Sequence, residues 1–127
     1  LRVVGNPGAV PDAAYAAVAD VLVTYEGQRA GLLAYDPRTS TSASWLYARP
    51  NTSVALLGHN IPTCAAMQEA LAAAATARYN AGPVFFTDGE YDPVLRTGNP
   101  WAGLPHYWTA LLQSVDALNR GRPLPAC

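Results

Sequence analysis

The sequence predicts an α/β fold in which strands of a parallel sheet alternate with helices, and three observations carry that reading. Four apolar runs recur, at residues 2–6, 21–25, 53–58 and 83–87. Segments with helical periodicity separate them, and each run ends in a polar residue beside turn formers. Strands that read as near-continuous apolar runs and alternate with amphipathic helices belong to parallel sheets covered by helices.

The elements follow in order. The first unit is a strand over residues 2–6, closed by Gly5-Asn6-Pro7-Gly8, and a helix over residues 11–19 with Pro11 suited to its first turn. The second is a strand over residues 21–25 (Val-Leu-Val-Thr-Tyr) ending on Glu26-Gly27, then a long polar connection to about Asn51. Within that connection residues 43–49 are expected to form a short helix carrying Trp45 and Leu46.

The third unit is a strand over residues 53–58 ending at His59-Asn60, with Thr63 as N-cap of a helix from Cys64 to Tyr79. Met67, Leu71, Ala75 and Tyr79 recur every fourth residue, the stripe of a helix packed on a sheet, and Asn80 and Gly82 supply the stop. The fourth is a strand over residues 83–87 ending at Asp88-Gly89. A long loop to Gly103 precedes a helix over residues 104–119 with Tyr107, Leu111, Val115 and Leu118 inward.

Composition narrows the function classes. The chain has 127 residues, of which 50% are hydrophobic and 13% charged, enough for one region with a real core. A net charge of −1 gives no reason to expect nucleic acid or an anionic membrane as partner. All eight basic residues are Arg, which reads with the abundant Ala as compositional bias. No apolar run approaches the roughly 20 residues of a membrane span. Gly5-Asn6-Pro7-Gly8 lacks the spacing of a phosphate-binding loop, so no nucleotide cofactor is expected. Asp88, Glu90 and Asp92 alternate like a cation loop, but the other ligands of a calcium motif are missing and they read as solvated acids; no metal is expected. Asn51-Thr52-Ser53 is a short glycosylation sequon and carries little weight.

Cys64 and Cys127 leave two readings open. Both are free or have partners outside this stretch, or they form a bridge. A helix over residues 104–119 is about 24 Å long, and the tail after it spans at most about 28 Å, enough to return along that helix. A bridge would favour an oxidising setting.

The four strand ends carry the candidate chemistry: Asn6, Glu26, His59 and Asp88. Each has an ordinary structural explanation. Asn6 can form the turn before Pro7, His59 can be a hydrogen-bonded strand-end histidine, and Asp88 can be a turn former before Gly89. Glu26 is the hardest to explain so, because a carboxylate straight after five apolar-run residues is desolvated or paired unless it faces a cleft. Together the four suit a neutral polyhydroxylated ligand. The loop after Asp88 adds Tyr91, Trp101, Tyr107 and Trp108 as flat faces for sugar rings, with helix packing the better reading for Tyr107 and Trp108.

Val4-Gly5-Asn6-Pro7-Gly8, Tyr15, Ala19-Asp20 and Val23-Thr24-Tyr25-Glu26-Gly27 resemble the spherulin-4-like proteins. The similarity continues through Val84-Phe85-Phe86-Thr87-Asp88, Asn99-Pro100-Trp101, Leu104-Pro105 and Tyr107-Trp108, while residues 38–44 match nothing in it. The resemblance implies a (β/α)8 TIM barrel and a secreted glycoside hydrolase acting within α-1,4-linked galactosamine or N-acetylgalactosamine polymers. Glu26 matches the family's acidic residue at the end of its sixth strand. The family's Asp-Glu pair at the end of its fourth strand has no counterpart here.

The expectation is therefore four βα units forming the C-terminal half of a (β/α)8 barrel, with the other half supplied upstream or by another chain. A full barrel takes about 250 residues. Glu26 is the expected catalytic carboxylate; Asn6, His59 and Asp88 are expected to shape the pocket floor, and Tyr91 and Trp101 to contact sugar rings. The rivals are a non-catalytic carbohydrate-binding or wall-associated protein of the same fold, and an unrelated small α/β domain.

Overall fold

The computed structural model describes residues 1–127 throughout. Its four strands are β1 (Val4–Gly5), β2 (Val21–Gln28), β3 (Val54–His59) and β4 (Val84–Phe86). They form one sheet in sequence order, β1-β2-β3-β4, with every pair parallel. Three α-helices accompany it: α1 (Arg29–Ala34), α2 (Cys64–Ala74) and α3 (Trp108–Asn119). The alternation expected of an α/β fold with parallel strands is present.

Helices cover one face of the sheet. Leu56 and Phe86 point into the main core, where they meet Leu32 of α1, Met67 and Leu71 of α2 and Leu111 of α3. All six are buried; side chains of this size contribute about 1.5–3 kcal/mol each on leaving water. On the other face Val21, Val23, Ala55 and Leu57 form a separate small cluster that includes no helix residue. With Val4 and Pro83 they line an open trough of about 440 Å³.

The outcome for individual elements differs from the sequence reading in several places. β1 spans two residues rather than 2–6, because Val3 donates its N–H to the Asp20 side chain at 2.6 Å instead of extending the ladder. The helix expected over residues 11–19 is a 3₁₀ helix, Ala13–Ala17, with no buried residue; Asp12, not Pro11, starts it by accepting from Ala14 N–H. β2 runs on to Gln28, so Glu26 lies inside the strand rather than after it. Helix α1 stands where a polar connection was expected, with Leu32 as its buried residue. Helix α3 starts at Trp108, four residues later than expected.

Most other expectations match. Residues Thr41–Ala48 form a 3₁₀ helix that buries Leu46, and the Trp45 indole donates to the Pro11 carbonyl. Thr63 caps α2 by accepting from Ala66 N–H at 3.1 Å, a cap that contributes about 1 kcal/mol. The buried stripe of α2 is Met67, Ala70, Leu71 and Ala74; Ala75 falls outside it because the helix ends there. Helix α2 ends at Ala74 rather than at the expected Tyr79, and Asn80, with a left-handed φ of 46°, lies beyond the turns that follow it. Cys64 and Cys127 form a disulfide, closing the alternative left open by the sequence. The tail returns along α2, where Gln68 Nε2 donates to the Pro125 carbonyl at 2.7 Å. No helix is long and apolar enough to cross a membrane.

Candidate functional site

Strand parity decides which strand-end residues meet. Side chains alternate faces along a strand, so residues two apart share one. Val4 pairs with Val21, which puts Asn6, two residues on, on the open face. Leu57 lies on that face and His59 follows it by two. Phe86 lies on the helix face and Asp88 follows it by two.

Glu26 reaches the open face through an irregularity. Val23 pairs with Ala55 and Tyr25 with the next residue, Leu56, so Thr24 is one residue extra in β2. An extra residue in one strand reverses the faces beyond it. Tyr25 therefore turns into the helix-side core, and Glu26, opposite Leu57, shares a face with Val21 and Val23. In a regular ladder, with Thr24 paired in turn, the carboxylate would point into the helices.

Both oxygens of Glu26 are held. Asn6 Nδ2 donates to Oε2 at 2.6 Å and Trp101 Nε1 donates to Oε1 at 3.1 Å. Neither donor can reverse its role. Asn6 Oδ1 accepts Gly8 N–H at 3.0 Å, which leaves only its amide group facing the carboxylate, and an indole nitrogen only donates. Trp101 is placed by its own turn, in which Asn99 Oδ1 accepts Trp101 N–H at 3.1 Å. The Glu26 carboxylate therefore has a set orientation beside an open cavity of about 390 Å³, lined also by Gly8, His59, Tyr91 and Trp101.

His59 forms part of the same wall. Its ring meets the rings of Tyr91 and Trp101 edge-on, with centroids 6.1 and 5.8 Å away. Its Nδ1 lies 2.5 Å from Asn60 Oδ1. Asn60, with a left-handed φ of 55°, also accepts Tyr91 N–H at 2.9 Å and donates to the Tyr91 carbonyl at 3.3 Å. Gln28 Nε2 donates to the same carbonyl at 3.2 Å.

Asp88 stands apart from this cavity, which corrects the expectation that it shapes the same floor. On the helix face it takes the His106 ring Nδ1 and is near His106 N–H, just ahead of α3. Burial pushes the Asp88 carboxyl up, but the hydrogen bonds from His106 outweigh it and hold the group below its ordinary value. Asp92 is likewise used locally, accepting Val94 and Leu95 N–H at 2.8 and 3.0 Å. No group of three or more His, Cys, Asp or Glu side chains is arranged to hold a metal ion.

The family model for spherulation-specific family 4 (Spherulin4) matches residues 1–115. The chain belongs to this family. Among solved structures it is similar to Aspergillus clavatus Sph3, whose crystal structure is a complex with GalNAc. The two are 25% identical with a TM-score of 0.56, over 91% of this chain and 41% of the Sph3 chain. The Spherulin4 chain thus spans less than half the length of that relative. No curated protein sequence matches it.

Of the residues singled out from the sequence, Asn6, Glu26, His59, Tyr91 and Trp101 come together in this Spherulin4 protein, and Asp88 does not. Sequence reasoning missed Asn60 and Gln28, which hold the Tyr91 backbone, and His106, which pairs with Asp88. Parity counted from Phe86 would have separated Asp88 from the others. Nothing in the sequence marks Thr24 as the extra residue, and Gln28 was hidden by ending the strand three residues early.

Proposed function

We propose that residues 1–127 are the C-terminal half of a (β/α)8-barrel glycosidase that cleaves a galactosamine- or N-acetylgalactosamine-containing exopolysaccharide. Glu26 is one of its two catalytic carboxyl groups. Four parallel strands in sequence order, with helices on one face and an uncovered apolar face on the other, support the half barrel. In such barrels the chemistry sits at the carboxyl ends of the strands, where Asn6, Glu26 and His59 lie. The GalNAc held by Sph3 supports an amino sugar as ligand, and the Cys64–Cys127 bridge supports an extracellular setting.

One observation carries the proposal: Glu26 is the carboxylate lining the cavity, and both its oxygens are oriented by donors beside an indole and an imidazole. Asn6 and Trp101 hold the carboxylate, and His59, Tyr91 and the Trp101 ring contact the sugar. Glycosidic cleavage uses a second carboxyl group, which comes from the other half of the barrel. The test is polymer cleavage by the chain with the sequence that natively flanks it. Glu26→Gln is expected to lower turnover by at least about 10²-fold while the variant still binds polymer. Unchanged turnover removes Glu26 from catalysis.

The same lone carboxylate favours a second reading, a barrel that binds the polysaccharide without cleaving it. The residues closing the strand immediately before β1 in a complete barrel discriminate the two. An Asp-Glu pair there fits the enzyme; apolar or amide residues fit the binder.

A further inference from the structure

We infer that Asn60 is a positioning residue that holds neutral His59 as the tautomer protonated on Nδ1 and so presents the Nε2 lone pair to the cavity. There Nε2 accepts a hydrogen bond from a hydroxyl or amide N–H of the sugar; this last step alone rests on the carbohydrate reading above.

The tautomer follows from a chain of obligatory donors. Tyr91 N–H is a backbone donor and has no other role, so the Asn60 atom it meets at 2.9 Å is the carbonyl oxygen Oδ1. The amide group Nδ2 then faces the Tyr91 carbonyl, which only accepts, at 3.3 Å. Both ends of the Asn60 side chain are therefore assigned without reference to His59. His59 Nδ1 lies 2.5 Å from that same oxygen, and two acceptors cannot share the contact. The ring proton is on Nδ1, and in the neutral ring Nε2 carries a lone pair.

The second nitrogen is free to meet a ligand. His59 is only 6% exposed, yet Nε2 is not among the buried side-chain atoms without a partner and makes no hydrogen bond within the chain. His59 lines the cavity beside Glu26, so Nε2 opens onto it. The cavity then offers two acceptors, Glu26 and His59, beside the rings of Tyr91 and Trp101, while Asn99 Oδ1 and Trp101 Nε1 are already engaged with Trp101 N–H and Glu26. That is a set for a ligand rich in O–H and N–H donors.

Asn60 is suited to this task by its backbone. Its φ of 55° lies where Asn, Asp and Gly are tolerated and other residues are strained. From there one short side chain reaches both the preceding imidazole and the backbone of a loop 31 residues away.

The experiment is ¹⁵N NMR of the His59 ring above its titration range, in the chain with its native flanking sequence. The wild type and Asn60→Asp, which keeps an acceptor at Oδ1, are expected to carry the proton on Nδ1. Asn60→Gly, which keeps the backbone conformation but removes the acceptor, is expected to show both tautomers, with the Trp101 indole resonance reporting a retained fold. GalNAc is then titrated in. The wild-type Nε2 resonance is expected to move while Nδ1 stays, and Asn60→Gly to bind about fivefold more weakly, the loss of one hydrogen bond. A proton on Nε2 in the wild type, or an unchanged Nδ1–H ring in Asn60→Gly, overturns the positioning role. Movement of the Trp101 indole resonance with a stationary Nε2 overturns the acceptor role. No movement anywhere overturns the carbohydrate reading and the acceptor role with it, while the ring resonances still decide the tautomer.

Discussion

At the scale of single residues, the site is a carboxylate whose two oxygens face N–H donors on opposite sides. Asn6 comes from the turn after β1 and Trp101 from a loop 75 residues beyond Glu26. Trp101 has two separable parts. Its ring packs against His59 and Phe85, and its N–H orients the carboxylate. Trp101→Phe keeps an aromatic face and deletes the donor. Because the group is partly exposed, the variant is expected to lose no more than about 1.5 kcal/mol of stability in a denaturant melt. Turnover on polymer is expected to fall at least tenfold, about 1.4 kcal/mol of transition-state stabilisation. A melt that collapses with turnover intact would give Trp101 a packing role only.

At the scale of elements, β2 and the loop after β4 do the positioning. Thr24 reverses the faces of Tyr25 and Glu26, and the Asp88–Gly103 loop is laid over the strand ends by Asn60 and Gln28. Gly89 lets that loop approach. A Cβ there would lie 2.3 Å from the Pro100 carbonyl oxygen, a backbone atom that cannot step aside. Gly89→Ala is expected to cost about 1–3 kcal/mol in thermal unfolding and to move Trp101 off Glu26, seen as a change in tryptophan fluorescence. Behind the site, Tyr25, Tyr35 and Tyr79 stack with centroids 5.3 and 6.1 Å apart. Burial raises the pKa of each, Tyr35 to about 12. A raised value means that the stability these groups support is present below their ordinary value of 10.0 and is lost as pH rises through the folded values. Tyr35→Phe is expected to move the alkaline unfolding midpoint upward; an unchanged midpoint would place the sensitive group elsewhere. These elements also mark what could be read in advance. The strands and α2 were readable because apolar runs and a capped stripe are local patterns. Helix α1 was not, because Arg29-Ala30-Gly31-Leu32-Leu33-Ala34 is too short to show a period and follows a strand whose end was misplaced. The face of Glu26 was not, since a single extra residue leaves no trace in composition.

At the scale of the whole molecule, the sheet has helices on one side and the Val4–Val21–Val23–Ala55–Leu57 trough on the other. In the half barrel proposed for this family member, that trough is the inner wall. The proposed function rests on three side chains, Asn6, Glu26 and His59, brought together at one rim beside Trp101 and Tyr91. The Cys64–Cys127 bridge ties the last residue to the start of α2 on the far side of the sheet and leaves this rim free. The most direct test is a crystal structure of the chain, with its native flanking sequence, bound to GalNAc or a short galactosamine oligomer. The account predicts a sugar ring in the cavity between Glu26, His59 and Trp101, with a ligand hydroxyl or amide within hydrogen-bond reach of Glu26. A sugar bound elsewhere, with that cavity empty at saturation, would contradict it.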